Sequence, residues 1–564
     1  MLFFIFVFLF SATTFAGSGL LTKPVVNSWK HEIYVSPSGS DFNNVLGDAD
    51  HPLRTFDSVF ALAKKKTLGL AGNQYCVVFV AKGYYQPSKP IEQLESDYSL
   101  NNNGSRILHI SFIGMDDSVI IDGGLINRKG GYGLLQLCGS NIAISRLILR
   151  NAPSFGLMLG QPFARSKNVH ISHVTVDSSF SHGIMIGDVR SQFEDTVLVE
   201  HCTFRETNRM NAGASSSQWG SALKLYGAKH VIIDSCHFEH NWSEAISIND
   251  SKKVTVSTST FLNNYAASVY CDIAEYVTIA RNMFVSTNDA SMFKEGKRGM
   301  VSILISNEAW SPTAIDHVSS NIDIYSNVYI NQGGVLDIWE GAVSFLQRGI
   351  ISDIRYACNS SFGMSSGIKS TNAGIISSVF STPFPFNRVL ENIEVYGNIL
   401  SVDPKKWPAM YWVRGTEFTV SKHKFNNNRW NSVFPTLGVF ADDDLAIMPD
   451  TFLFSMIGLN SLKKKIPFRE FAPLDFFGKK RSPDSTFAGA FEISETMSVD
   501  VDDVINSSFM FRMFTQERVE LPQHWNAQHI LCIDIKGRVS ELKIDPDGSI
   551  RLPSMGTYLL IPKR

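Results

Sequence analysis

Cysteine is scarce: seven thiols in 564 residues, at positions 76, 138, 202, 236, 271, 358 and 532, odd in number and widely scattered. That spacing contains neither a disulfide framework nor a CxxC metal site. Cys202 and Cys236 fall in one column of the repeat described below, close enough for a bridge in principle, but they read as small buried apolar side chains. Long apolar runs are missing too. The run Leu2 to Phe10 is far short of the ~20 residues that span a bilayer, and no other stretch reaches that length, so no membrane span is expected. Charge of one sign is also lacking, since 51 basic and 53 acidic residues are mixed along the chain for a net charge of -2. Nothing in that balance suggests nucleic acid. A calcium loop is absent as well: Asp545-Pro546-Asp547-Gly548 lacks the downstream ligand and reads as a turn, so no cofactor is expected and calcium finds no support.

What the chain does have is repetition. HVIIDSCHF begins at His230, KVTVSTSTF ends at Phe261 and YVTIARNMF ends at Phe284, so Phe238, Phe261 and Phe284 recur 23 residues apart. Each unit holds an alternating run (Val231, Ile233), a polar corner (Ser235, Cys236), a second short run ending in Phe238, and a third run, Ala245 to Ile248. Strict alternation marks half-buried strands. Three strands in so short a unit leave no room for a helical crossover, and the units must stack as parallel coils. The corner column reads Cys202, Cys236, Ser259, Asn282, Asn327 and Asn398, side chains suited to a tight turn that tolerates left-handed φ. From about Asn141 to about Leu400 this pattern resembles the right-handed parallel β-helix family, with its inner Asn ladder and aromatic stack. The resemblance implies an all-β solenoid.

The ends of the solenoid follow. An apolar run with a Thr14-x-Ala16 site predicts a signal peptide over residues 1–16 and an exported, extracellular or periplasmic protein. Phe56, Val59, Phe60 and Ala63 share one face of a short helix beginning near Pro52, which would cap the open end of the stack within residues 31–66. YVSPSGSD followed by HPLRTFDSVFALA resembles the opening segment of secreted β-helix enzymes of polysaccharide metabolism. CVVFVAKGYY and ILHISFIGMDDSVIIDGG read as first coils, and Lys64 to Lys66 as the solvated helix end. The β-helix domain is expected over 31–490, with regular coils at 141–341 and a flap or irregular coils at 342–435. PLDFFGKKRSPDSTFAGAFE closes it. From about Val499 longer strands (FMFRMF, HILCIDIKGRVSELKI, SIRLP, TYLLIP) with turns at Lys536-Gly537 and Asp547-Gly548 predict a small antiparallel β-sandwich over 499–564.

Insertions at Asp188–Asp195, Glu206–Trp219, Ser286–Arg298 and Ser306–His317 all flank the third strand. Loops on a rigid scaffold gather binding residues, so this strand should floor a walled groove. In β-helix pectate lyases and polygalacturonases the glycan cleft lies on this strand, which is what the resemblance implies here. Alternation then predicts three outward sets: His182, Ser221 and Glu244 at the strand start; Met185, Lys224, Ser247, Tyr270 and Asp337; and Gly187, Tyr226, Asn249, Asp272 and Trp339. Neighbouring coils lie about 4.8 Å apart, which brings these groups to one sugar ring or the next. They are expected to face solvent, with Tyr226, Tyr270 and Trp339 as stacking platforms. Any single outward position of a β-helix is polar for structural reasons; the cluster between its walls is what points to a site.

Two chemistries fit. Hydrolysis takes a protonated carboxyl and a second carboxylate about 5 to 9 Å apart, and the candidates are Glu244, Asp250, Asp272, Glu308, Asp337 and Glu340. Elimination from a uronate takes a base and cations: Lys224, Tyr270 or His182 as base or acid, and Lys294, Lys297 or Arg298 as carboxylate binders, because a near-neutral protein must hold an anionic polymer by a local patch. The catalytic candidates are therefore Lys224, Glu244, Asp272, Tyr270 and His182, and the substrate-binding candidates Tyr226, Asn249, Arg298, Glu308, Asp337 and Trp339. GMVSILISNEAW, NIDIYSNVYINQGGVLDIWEG and the GAFE of the closing segment resemble stretches of secreted bacterial β-helix proteins of polysaccharide degradation. That resemblance implies roles for Glu308 and Trp339, although the glycine expected before ISN is absent. The expected function is cleavage of an extracellular polysaccharide; the alternative is a non-catalytic β-helix that binds glycan or a cell surface. N-x-Ser sequons stand at Asn103, Asn241, Asn249, Asn359 and Asn506, two of them at the expected groove.

Overall fold

The computed structural model describes residues 29–42, 46–93, 106–126, 133–160, 166–187, 194–212, 220–286, 292, 301–308, 316–340, 348–364, 374–380, 388–401, 409–414, 418–421, 424–430, 451–456, 465–476, 478–486, 488–490, 510–514, 518–520, 529–534, 539–545, 549–551 and 556–563. The expected signal peptide lies outside them.

The chain is a right-handed parallel β-helix. One coil consists of strands Ala228–Asp234, His237–Glu239 and Glu244–Asn249, and the next of Lys252–Ser257, Thr260–Leu262 and Ala267–Asp272. Corresponding strands pair in parallel, as in Val231 with Val254, Phe238 with Phe261 and Ile246 with Val269. The first and second strands of the coils merge into one 26-stranded sheet, and the third strands form a separate 11-stranded sheet. Coils already form at Gly72–Val80, which pairs with Arg106–Gly114, well before Asn141.

Inward residues close one continuous core. Phe204, Phe238, Phe261, Phe284 and Tyr329 stack with ring centroids 4.7, 5.0, 4.7 and 4.9 Å apart. Beside the stack runs a ladder: the backbone N–H groups of Ser259, Asn282, Asn327, Asn359 and Asn398 donate in turn to the side-chain oxygens of Asn282, Asn327, Asn359, Asn398 and Asn428, at 2.8 to 3.0 Å. Each amide nitrogen in turn donates to a backbone carbonyl, Val256 for Asn282 and Ile279 for Asn327. The left-handed φ sits one residue earlier than the sequence suggests, on Ser235 (54°), Thr258 (48°), Arg281 (60°), Ser326 (56°) and Cys358 (51°). That residue makes the corner, and the next one turns its side chain into the core to bond the coil beyond. Asn359, read above only as a sequon, is a ladder rung. Asn241 belongs to a second ladder with Thr207 and Asn264. The side chains of Asn241, Asn249 and Asn359 are all buried.

At the N-terminal end, helix Val59–Lys66 buries Val59 and Ala63 in the same core as the strand His31–Val35. Past Gly341, where the sequence leaves a flap and coils as alternatives, strands Arg348–Ala357, Ser360–Met364 and Gly374–Phe380 pair in register with the coil before them. Residues 465–476, 478–486 and 488–490 lie against these coils. Ile466, Ala472 and Ala488 pack against Tyr325 and Tyr396, while buried Arg481 donates to Ser326 Oγ, Thr486 Oγ1 and Gly489 O. Further on, Met510–Phe514, Gly556–Lys563, His529–Asp534 and Val539–Lys543 form a four-stranded antiparallel sheet, and Arg518–Glu520 pairs with Ser549–Arg551. Among the described residues no helix is long and apolar enough to cross a membrane.

Candidate active site

The 11-stranded sheet sets the register of the site. Met185 pairs with Lys224, Lys224 with Ser247, Ser247 with Tyr270, Tyr270 with Leu304 and Leu304 with Asp337. The next register column runs Tyr226, Asn249, Asp272, Ser306 and Trp339, and Ser221 pairs with Glu244. Ile246 and Val269 point into the core, where both are fully buried.

The expectation that these outward groups face solvent is corrected. Fractional exposure is 0% for Asp272, 1% for Asn249, 4% for Tyr226, 5% for Asp337, 7% for Tyr270 and 9% for Glu244. Lys224, His182 and Glu308 are only partly exposed. The cause is lateral packing: polar side chains on coils about 4.8 Å apart touch and bond one another before they meet water. The chain also folds back over them, because Glu308, two residues past the strand end, donates its backbone N–H to Asp272 Oδ1 at 2.7 Å. Tyr226 and Tyr270 therefore offer no open ring face for stacking. The side chain of Trp339, and Lys294, Lys297 and Arg298 entirely, lie outside the described residues.

Hydrogen bonds fix the interior. Asn249 Nδ2 donates to Asp272 Oδ2 at 3.2 Å, and Ser247 Oγ to Asn249 Oδ1 at 2.6 Å. Glu244 Oε2 accepts from Ser243 Oγ at 2.6 Å and from Ser221 Oγ at 3.4 Å. His182 Nδ1 accepts from the Ser221 backbone N–H at 2.8 Å, so the neutral ring carries its proton on Nε2.

Five of these groups perturb one another. Burial pulls the Lys224 ammonium below its ordinary range, against the opposing pull of Glu244, Asp272 and Glu308. Burial raises Glu244, with Ser243 and Lys224 opposing; it also raises Glu308, with the Tyr270 hydroxyl opposing, the Glu244 charge adding and Lys224 opposing. Tyr270 is pushed well up by burial and then by Asp272 and Glu308. His182 is lowered to about 3, by burial first and then by Lys224. The buried Tyr270 hydroxyl faces Ser306 and Glu308, and its contact with Glu308 is what opposes the rise of that carboxyl. Among those residues no three His, Cys, Asp or Glu are grouped to hold a metal ion.

Lys224, Glu244, Tyr270, Asp272 and His182 thus come together, and Glu308, assigned above to substrate binding, joins them. Asp337 lies two coils beyond Tyr270, in the same column. Ser306 was overlooked, although the alternation of VSILIS places it in the Asp272 column. No periodic signal marks Glu308, which stands past the end of its strand.

Residues 212–378 match a family model described as a right handed beta helix region, a span that holds most of the cluster. No curated protein matches the chain. Among solved structures the chain is similar to a pectate lyase (13% identity over 83% of this chain and 97% of that one, TM-score 0.38). It is also similar to PfbA, a surface adhesin of Streptococcus pneumoniae (13% identity, 66% and 85% covered, TM-score 0.44). An alginate lyase from a Paenibacillus species matches at 11% identity, with 52% and 92% covered and a TM-score of 0.33.

Proposed function

We propose that this β-helix is an extracellular glycoside hydrolase acting on a largely neutral polysaccharide, with Glu308 as general acid and Glu244 as the second carboxyl. One observation carries the reading. Three carboxyl groups, Glu244, Asp272 and Glu308, stand against the single ammonium of Lys224 among the described residues of the cluster. An anionic sugar placed among them meets like charge, whereas a neutral one does not.

The two glutamates divide the work by their partners. Like charges in a shared buried site do not ionise together, so the pair tends to hold one proton. Glu244 accepts from two serine hydroxyls and is the better host for the negative charge; Glu308, the more exposed of the two, keeps the proton. In hydrolysis the proton passes from Glu308 to the leaving oxygen, and the Glu244 carboxylate activates water or attacks the sugar carbon. Asp272, fully buried, touches no substrate. It pins the Glu308 backbone and helps to hold Lys224 in place. The polysaccharide class itself rests on the segments that resemble secreted β-helix enzymes of polysaccharide metabolism.

Elimination is the second reading, favoured by one feature: a partly exposed lysine lowered by burial is a serviceable base. Both readings are tested by incubating the full chain with neutral and uronate polysaccharides while following reducing ends and the absorbance of an unsaturated product. Reducing ends without that absorbance, lost about a hundredfold or more in Glu308→Gln and Glu244→Gln with thermal stability kept, are expected. An unsaturated product together with Lys224→Ala as the damaging change would replace hydrolysis with elimination. Tight glycan binding without any cleavage would make the protein a binding module.

A further inference from the structure

Tyr226 and Tyr270, the rings expected to stack against sugar on the groove floor, are buried, whereas two partly exposed rings, Trp242 and Tyr265, stand at the corner that leads into that floor. Residues 240–243 alone join strand His237–Glu239 to strand Glu244–Asn249, and residues 263–266 alone join Thr260–Leu262 to Ala267–Asp272. The coils on either side carry much longer connections at the same corner, 206–220 before and 286–300 after. Trp242 and Tyr265 thus occupy a gap in a row of insertions. Their placement follows from the second ladder. Asn241 Nδ2 donates to Asn264 Oδ1 at 2.7 Å inside the coils, which leaves the next residue on each coil, Trp242 and Tyr265, on the outside. The backbone repeats the same bond: Trp242 N–H donates to Thr207 O at 3.0 Å and Tyr265 N–H to Asn241 O at 2.8 Å. Trp242 O accepts from Asn211 Nδ2 at 2.7 Å. These backbone bonds hold the corner whatever side chain stands there. The indole is oriented separately, its Nε1–H donating to Oε2 of the exposed Glu206 at 3.2 Å. Next along the chain, Ser243 Oγ donates to Glu244 Oε2 at 2.6 Å, so the indole stands two residues from a proposed catalytic carboxyl.

We infer that Trp242 and Tyr265 form a stacking platform for a neutral sugar unit of the glycan, beside the unit attacked at Glu244. A pyranose has an apolar C–H face and a rim of hydroxyls, and Trp and Tyr offer the matching apolar ring with a polar edge. The rings belong to neighbouring coils about 4.8 Å apart, a spacing that suits one sugar ring and the next. An indole already oriented by Glu206 gives up little freedom on binding. The Glu206 carboxylate accepts from a sugar hydroxyl and opposes a uronate in the same place. The inference rests on the proposed function only in taking the ligand to be a glycan.

The test uses the full chain with Trp242→Ala, Trp242→Phe and Tyr265→Ala. Cellohexaose, laminarihexaose, xylohexaose, mannohexaose and maltohexaose, with hexagalacturonate as the anionic comparison, are titrated by ligand-observed NMR, and the melting temperature of each protein is recorded. The parent should bind at least one neutral hexamer more tightly than hexagalacturonate. Trp242→Ala should weaken that binding about tenfold or more, and Tyr265→Ala by a smaller factor. Trp242→Phe should keep most of it, because a ring remains. Melting temperatures should stay close to the parent's, since partly exposed side chains contribute little to folding. The inference is overturned if the parent binds no neutral hexamer, if it prefers hexagalacturonate, if both alanine variants bind like the parent, or if Trp242→Phe loses as much as Trp242→Ala. A lower melting temperature in Trp242→Ala with parent-like binding in Tyr265→Ala would make the indole a structural prop and overturns it equally. Tyr265→Ala and Trp242→Phe keep the comparison decisive should Trp242→Ala fail to fold. The two proposals fail separately. Cleavage of a polysaccharide with KM unchanged in Trp242→Ala and Tyr265→Ala sinks the platform alone, whereas glycan binding that depends on Trp242 in a protein that cleaves nothing sinks the hydrolase alone.

Discussion

Replacing Asn327 by alanine should damage the fold more than any surface change. Its side chain makes four hydrogen bonds. Oδ1 accepts from Asn282 N at 2.9 Å and Asn282 Nδ2 at 3.1 Å, and Nδ2 donates to Ile279 O at 2.9 Å and Asn359 Oδ1 at 3.0 Å. After truncation Asn359 Oδ1 keeps the Asn327 backbone N–H, and Asn282 Nδ2 keeps Val256 O. The Asn282 backbone N–H loses its ladder acceptor and has no water to turn to. One orphaned buried donor at about 1 to 3 kcal/mol and three lost bonds at about 1 kcal/mol each give about 4 to 6 kcal/mol. That is a large share of the roughly 5 to 15 kcal/mol that hold a typical domain together. Urea unfolding followed by circular dichroism measures it, with Asn327→Asp as a companion. Aspartate keeps the acceptor but loses the donor and buries a charge, so it should be at least as damaging at neutral pH. A loss below about 1 kcal/mol for Asn327→Ala would refute the ladder as a source of stability.

Two further outcomes follow from the core and from the site. Phe261→Ala should cost about 3 to 5 kcal/mol through lost burial and a cavity between two stacked rings, and a neutral result would overturn the 23-residue register. His182, about 3 in the folded chain against 6.5 unfolded, is the pH-sensitive group. Its unfolded form takes up a proton first, so it contributes a loss of stability that begins as pH falls through 6.5 and continues toward 3. Melting curves of parent and His182→Asn across that window should diverge, the variant losing less; parallel curves would show that the ring is not held neutral by the fold.

Much of the architecture was legible because period-two alternation and a fixed repeat are local signals. They placed Phe238, Phe261 and Phe284 in one stack and Lys224, Ser247 and Tyr270 in one column, as the register has them. Alternation reports which side of a strand a residue leaves from, not what covers it there. It could not anticipate that the Glu308 backbone would bond Asp272, nor that Tyr226 would be buried. Asn359 escaped the corner column because Cys358, Asn359 and the two serines after it break the apolar rhythm, and only pairing with the next coil reveals the rung. The coils beyond Gly341 were ambiguous for a similar reason: Ser and Gly dilute the apolar alternation that their strands still obey.

The buried ladder has a practical bearing on how this protein is made. Asn241, Asn249 and Asn359 each head an N-x-Ser sequon, and each is buried once the coils close. In a host whose secretory machinery attaches glycans to nascent chains, these amides are exposed before folding and hidden after it. A sugar attached at Asn359 would occupy the space that the Asn327 amide must reach, and one at Asn241 the space of Asn264. Export through a glycosylating pathway would therefore pit modification against folding at the same three side chains, and secreted yield from such a host should rise when the serine of each sequon is replaced by alanine only where that serine is not itself a partner, as Ser243 is to Glu244.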